Sequence, residues 1–289
     1  MDRIEHDFVV QTCRLLSARS LQFLAQLDKT WFIPAGQTLK KIVLINVVMR
    51  QPFRTEVYGK MLLNSRKFVP DYGDRTVNYR VDDLSISHSN ATKDCDVLHE
   101  EDVEDWLGLA SVQCNSAHIL NMDSLATFRI YNLNVQCLKY VEIINTTLNN
   151  EPDVVDWLKR LMKAGCIETL FLNVVKLVGP SNIHDDDFTE MLINEKQIRN
   201  FRLIGNVNFP NFNLSMLKRI IEVWSKNERA LGSEFKIWDA NLRKSRQAKE
   251  FVALTFAKIE EAECKFRLQH PKCESWIETD LEMVYIHLR

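Results

Sequence analysis

Asp94, Asp96, His99, Glu100, Glu101 and Asp102 crowd carboxylates around one imidazole within a short stretch, a composition that could hold a metal ion. Zinc takes His and Cys at closed tetrahedral spacing, whereas here Cys95 lies between two acids with no second His nearby. The set reads as a solvated acidic loop leading into the next helix, with a loose divalent-cation site as the alternative. His184, followed by Asp185, Asp186 and Asp187, poses the same question. Acids just ahead of Phe188 are what a helix N-terminus attracts, so capping is the expected role.

Nucleophilic chemistry finds no support in the spacing. The chain has no G-x-S-x-G elbow, no phosphate-binding glycine loop, no G-x-G-x-x-G and no H-E-x-x-H. Cys166 stands at a predicted strand start beside Gly165, His118 is placed on a helix, and nothing links them. Cys13, Cys95, Cys114, Cys137, Cys166, Cys264 and Cys273 never form a C-x-x-C pair, so they read as thiols packed as small hydrophobes in a reducing compartment. The basic run Arg243, Lys244, Arg246 and Lys249 reads as a solvated face before it reads as a site for an acidic partner. The six Trp residues are expected in the core. The expectation is a non-enzymatic chain with no cofactor and no metal.

The elements that must position these residues show a recurrent spacing, apolar-x-x-apolar-x-apolar. It occurs at Leu39, Ile42, Leu44; Val81, Leu84, Ile86; Leu125, Phe128, Ile130; Leu138, Val141, Ile143; Ile167, Leu170, Leu172; and Ile198, Phe201, Leu203. Alternate strand residues face one way, so each unit reads as a strand feeding a shared core. Asn follows two residues after the last slot at Asn46, Asn132 and Asn145. Pro152 marks a helix start, Gly165 a C-terminal cap, and Asn213 the opening of another helix. Leu138 to Ile167 is 29 residues and Ile167 to Ile198 is 31, the size of a strand-plus-helix repeat. Earlier steps of 42, 44 and 13 make the repeat degenerate. The predicted fold is therefore α/β: a degenerate leucine-rich-repeat-like solenoid over residues 37–289, with 233–289 a mainly strand terminal cap.

Residues 1–33 read as two short helices, the second capped by Ser20 and stopped by Pro34 and Gly36. Their apolar face, with Phe8, Cys13, Leu16, Leu24 and Trp31, is too apolar to be solvated and needs a body or partner to dock on. No stretch approaches the ~18 uncharged apolar residues of a membrane span, and Asp2, Glu5 and Asp7 do not fit a signal peptide. A net charge of −2 offers no field for nucleic acid. The expectation is a cytoplasmic or nuclear protein that binds neither membrane nor nucleic acid.

The opening Met1-Asp2-Arg3-Ile4, through Phe8, Leu15, Leu16, Leu21, Leu24 and Trp31, resembles an abbreviated F-box of the nematode F-box and F-box-associated families. Ile4 and Glu5 stand where those families carry Leu-Pro. The resemblance implies that residues 1–36 contact a Skp-type adaptor of a cullin-type ubiquitin ligase through Phe8, Cys13, Leu16, Leu24 and Trp31. It implies that the remainder recruits a protein target. The alternative reading is a free-standing repeat protein with no ligase link.

Overall fold

The computed structural model describes residues 8–9, 12–13, 18–26, 31, 34–35, 38, 42–50, 54–61, 80–87, 96–97, 107–112, 114–122, 133–149, 152–179, 182–194, 197–226, 235–238, 240, 242–260, 265–272 and 274–287. They fall into two compact units, Met1–His118 and Ile119–Arg289.

In the first unit the N-terminal segment differs from expectation. Phe8, Val9, Thr12 and Cys13 are helical, but the one continuous helix described is α1, Ala18–Leu24, seven residues long. Ser20 lies inside α1 and does not cap it. Pro34 and Ala35 are themselves helical, and the Thr38 hydroxyl donates to the Pro34 carbonyl at 2.8 Å. Strand β1, Ile42–Arg50, pairs antiparallel with β2, Arg54–Met61, and parallel with β3, Arg80–Ser87. The two-residue strand β4, Asp96–Val97, adds to β2. Ile45, Val47 and Val48 of β1 and Val81, Leu84 and Ile86 of β3 are buried. Strand β5, Ser116–Leu120, spans the point of division between the units; its His118, expected on a helix, is on a strand.

The second unit alternates strand and helix, then turns to antiparallel strands. Strand β6 is Tyr140–Asn149, α2 Pro152–Met162, β7 Thr169–Val178, α3 Asp185–Asn194, β8 Asn200–Ile204, α4 Leu214–Lys226 and β9 Phe235–Trp238. After a 3-10 turn, Leu242–Lys244, come α5, Arg246–Thr255, β10, Ala257–Glu260, β11, Lys265–Gln269, β12, Trp276–Thr279, and β13, Val284–His287. Within this unit the strands lie in the order β10-β11-β12-β13-β9-β8-β7-β6. Strands β6 to β9 are parallel neighbours; β13 joins β9 antiparallel, and β10 to β13 form antiparallel pairs.

This overturns the solenoid. Among the described residues each unit carries a mixed sheet, strand outweighs helix, and no stack of equivalent repeats is seen. Two crossovers of 29 and 31 residues, followed by one of 36 from Phe201 to Ile237, are what any run of parallel strands joined by helices requires, so the spacing could not tell a repeat from a mixed sheet. The antiparallel pairs β1–β2 and β10 to β13 cannot arise by adding strand-helix units.

Within the parallel region the three-slot spacing does mark core. Val141, Leu170 and Phe201 lie opposite one another in β6, β7 and β8 and are 0%, 1% and 0% exposed. Helix α2 buries Val154, Val155, Trp157, Leu158, Leu161 and Met162, and the Trp157 indole N–H donates to the Leu133 carbonyl at 3.2 Å. The Phe188 ring of α3 lies 6.0 Å from that of Phe201, so a helix covers this face of β8. Helix starts follow local chemistry. Asn213 Oδ1 accepts the N–H groups of Ser215 and Met216 ahead of α4, and Ser245 Oγ accepts from Ala248 N–H at 3.2 Å ahead of α5. Gly165 takes φ of 71° just past α2, as a C-terminal cap needs.

Candidate functional site

Four residues at one structural level adopt left-handed backbone: Asn121, Asn145, Val174 and Gly205, at φ of 56°, 48°, 54° and 69°. Each stands two residues after a buried apolar residue, namely Ile119, Ile143, Leu172 and Leu203. In β6 and β7 the ladder pairs Ile144 with Asn173, skips Asn145 and Val174, and resumes at Thr146 with Val175. An extra residue shifts the period of two by one, so the buried set moves from Val141 and Ile143 to Thr146 and Leu148. In β7 it moves likewise from Leu170 and Leu172 to Val175 and Leu177. Asn tolerates this conformation and Gly adopts it freely, but a β-branched Val at positive φ costs about 1–3 kcal/mol. Strain of that kind is retained at sites where the local shape has a use.

Beyond the kinks a cleft of about 700 Å³ opens, lined by Ile144, Asn173, Val174, Arg202, Leu203, Ile204, Gly205, Asn211, Phe212 and Lys244. Val174 is 51% exposed on its wall. Asn173 is buried, and its Oδ1 has no hydrogen-bond partner. Loop 205–212 is held by its own amides: Asn206 Nδ2 donates to the Pro210 carbonyl at 2.8 Å, and Asn206 Oδ1 accepts from Val175 N–H at 2.8 Å.

The same face of the sheet carries a row of half-buried aromatic and basic side chains. Tyr140 meets Phe171 edge to face at 6.1 Å between centroids. Lys236 Nζ lies 3.3 Å from the Trp238 ring centroid and 4.5 Å from that of Tyr285. The Arg267 guanidinium sits 5.2 Å from the Trp276 ring and pairs with Glu278 at 3.1 Å. Trp238 and Trp276 are thus on the partly exposed face, while Trp157 and Trp224 are fully buried, so the expectation of core tryptophans holds for the latter pair and not the former. Parallel sheets usually cover both faces, and Trp, Tyr and Arg are the side chains that anchor protein interfaces.

In the first unit Val9, Cys13, Leu21 and Ala35 form a small buried cluster against which Leu24, Ala25 and Trp31 pack. Of the expected partner residues, Phe8 is 60% exposed, Cys13 is fully buried, and Leu24 and Trp31 are half-buried. Leu16 lies outside the described residues. Phe23, which the apolar spacing did not single out, is 64% exposed.

The remaining candidates resolve as structure. Asp187 Oδ2 accepts the His184 N–H at 2.8 Å at the start of α3, the capping role its sequence suggests. Among the described residues no group of three or more His, Cys, Asp or Glu is placed to hold a metal; Asp94, Cys95 and His99–Asp102 lie outside them. His118 Nε2 is 3.5 Å from Asp83 Oδ2. Cys166 Sγ donates to the Val135 carbonyl at 3.1 Å. Cys114 is buried, its Sγ donates to the Ser116 carbonyl at 2.8 Å, and burial with Asp83 nearby pushes its pKa up to about 12. Such a thiol is held neutral and unreactive. No helix of the described residues is long and apolar enough to cross a membrane. No protein-family model matches this chain, and a search of curated proteins finds no match.

Proposed function

We propose that this chain is a non-catalytic, substrate-recruiting adaptor of a cullin-type ubiquitin ligase. Its N-terminal segment takes a Skp-type adaptor, and the partly exposed sheet face of its second unit takes a protein target. The observation that carries the reading is the pair Phe8 and Phe23, 60% and 64% exposed, on a segment whose described buried residues include Val9, Cys13, Leu21 and Ala35. Two large aromatic side chains left in water favour a partner that covers them. Cys13 then supports the segment from inside, and Phe8, Leu24 and Trp31 meet the partner. The protein acts in the cytoplasm or nucleus and needs no cofactor.

The absence of Leu-Pro at Ile4-Glu5 favours a second reading, a free-standing interaction module with no ligase link. Size-exclusion of the full chain with a purified Skp-type adaptor separates them. The first reading expects a stable complex, weakened about 30-fold or more by Phe8→Glu with Phe23→Glu, as loss of anchoring aromatics implies. A folded full chain that never captures the adaptor removes the ligase link.

A further inference from the structure

We infer that the cleft at the mid-strand kinks of β6 and β7 and the C-terminal end of β8 binds an acidic, extended segment of a protein target. Arg202 and Lys244 receive a carboxylate, and Asn173 receives a backbone N–H. This rests on the target-recruiting reading above and gives it a site.

Charge selects the sign of the ligand. Arg202 and Lys244 both line the cleft, and among its described lining residues none is acidic. Lys244 belongs to the basic run that the sequence presents as a solvated face. Arg243 of that run pairs with Glu282 at 3.6 Å and Arg246 with Glu250 at 2.8 Å. Those exposed pairs use their charge locally, whereas Lys244 lies on the cleft.

Asn173 selects the kind of ligand. A buried acceptor without a donor is costly, and the cost is recovered when a ligand supplies an N–H. Asn173 lines the cleft and is 5% exposed, and its Oδ1 is such an acceptor. A fully deprotonated anion such as sulfate has only acceptors to offer it. A peptide offers both the backbone N–H and, from an acidic residue, the carboxylate. Ile144, Val174, Ile204 and Phe212 provide apolar wall beside these groups, and a volume of about 700 Å³ fits a short peptide stretch. A net charge of −2 argues against a polyanionic nucleic acid.

The full chain is tested against an array of end-capped peptides with Asp or Glu at alternate positions and all other positions randomised. A matching array carries Asn and Gln instead. The acidic array is expected to bind about tenfold better, as one charge-assisted contact implies. Arg202→Gln with Lys244→Gln should remove that preference without lowering the thermal midpoint, and Asn173→Leu should weaken binding to both arrays. Equal binding to the two arrays, an acidic preference that survives the double substitution, or tighter binding of a single-stranded RNA oligonucleotide overturns the proposal. Adaptor capture is read on the same preparations. Loss of acidic preference with intact capture defeats the cleft alone, and failed capture with intact acidic preference defeats the ligase link alone.

Discussion

Gly205 and Val174 show how one position in a strand can require two conflicting residue types. Both stand in the left-handed slot, and a Cβ built on Gly205 would lie 3.2 Å from Val174 Cγ2. Gly205→Ala should therefore cost about 1–2 kcal/mol from the backbone alone, seen as a lower urea midpoint. Placed in a Val174→Gly background, which also relieves the strain at Val174 itself, Gly205→Ala should cost only its backbone part. An unshifted midpoint for Gly205→Ala would remove the kink as a constraint. Cys114 gives a pH prediction. Its thiol keeps its proton to about pH 12 when folded and releases it from about pH 9 when unfolded. Between those values the folded state binds more protons, so stability falls as pH rises, by at most roughly 1.4 kcal/mol per unit, and is complete below that window. Urea unfolding from about pH 8 to about pH 10.5 should show the Cys114→Ala variant losing less than the parent chain.

At the scale of elements, Leu170 ties three strands together, pairing with Val141 on one side and Phe201 on the other while 1% exposed. Leu170→Ala should cost about 2–5 kcal/mol, and a thermal midpoint that barely moves would show that this row is not core. The strands β6 to β8 were legible because their buried residues recur at fixed slots, and α2 to α4 because Pro152, Asp187 and Asn213 carry their own capping chemistry. Sheet architecture was not legible. Strand β2 is rich in polar and charged residues and is held by its ladder to β1, a pairing that no local pattern records. The direction of β10 to β13 likewise depends on partners distant in sequence. The kink slot could have been found: Asn145, Val174 and Gly205 share one offset from the apolar slots, but attention to Asn alone hid the other two. Asn46 has the same offset and stays paired in β1, so the residue type was not the rule. Of the cleft, Arg202 alternates with buried Phe201 and Leu203 as any outward strand residue does, and Lys244 stands within a basic run, so neither is marked by local pattern.

At the scale of the molecule, a near-neutral chain places its two proposed surfaces on different compact units. Phe8 and Phe23 belong to the unit ending at His118, and Asn173, Arg202 and Lys244 to the unit beginning at Ile119. A recruiting protein gains from this arrangement because a ligase partner and a target then draw on separate residues, and neither has to displace the other. Energies of substitutions that share no partner add. Phe8→Glu with Phe23→Glu should therefore leave the affinity for acidic peptides unchanged, and Arg202→Gln with Lys244→Gln should leave adaptor capture unchanged. The combined variant should show the two losses side by side, within about 0.5 kcal/mol of their sum. Titration calorimetry of the four chains with adaptor and with an acidic peptide from the array measures both affinities. A coupling larger than that margin would mean that the two sites read one shared conformational change, and the picture of independent surfaces would be wrong.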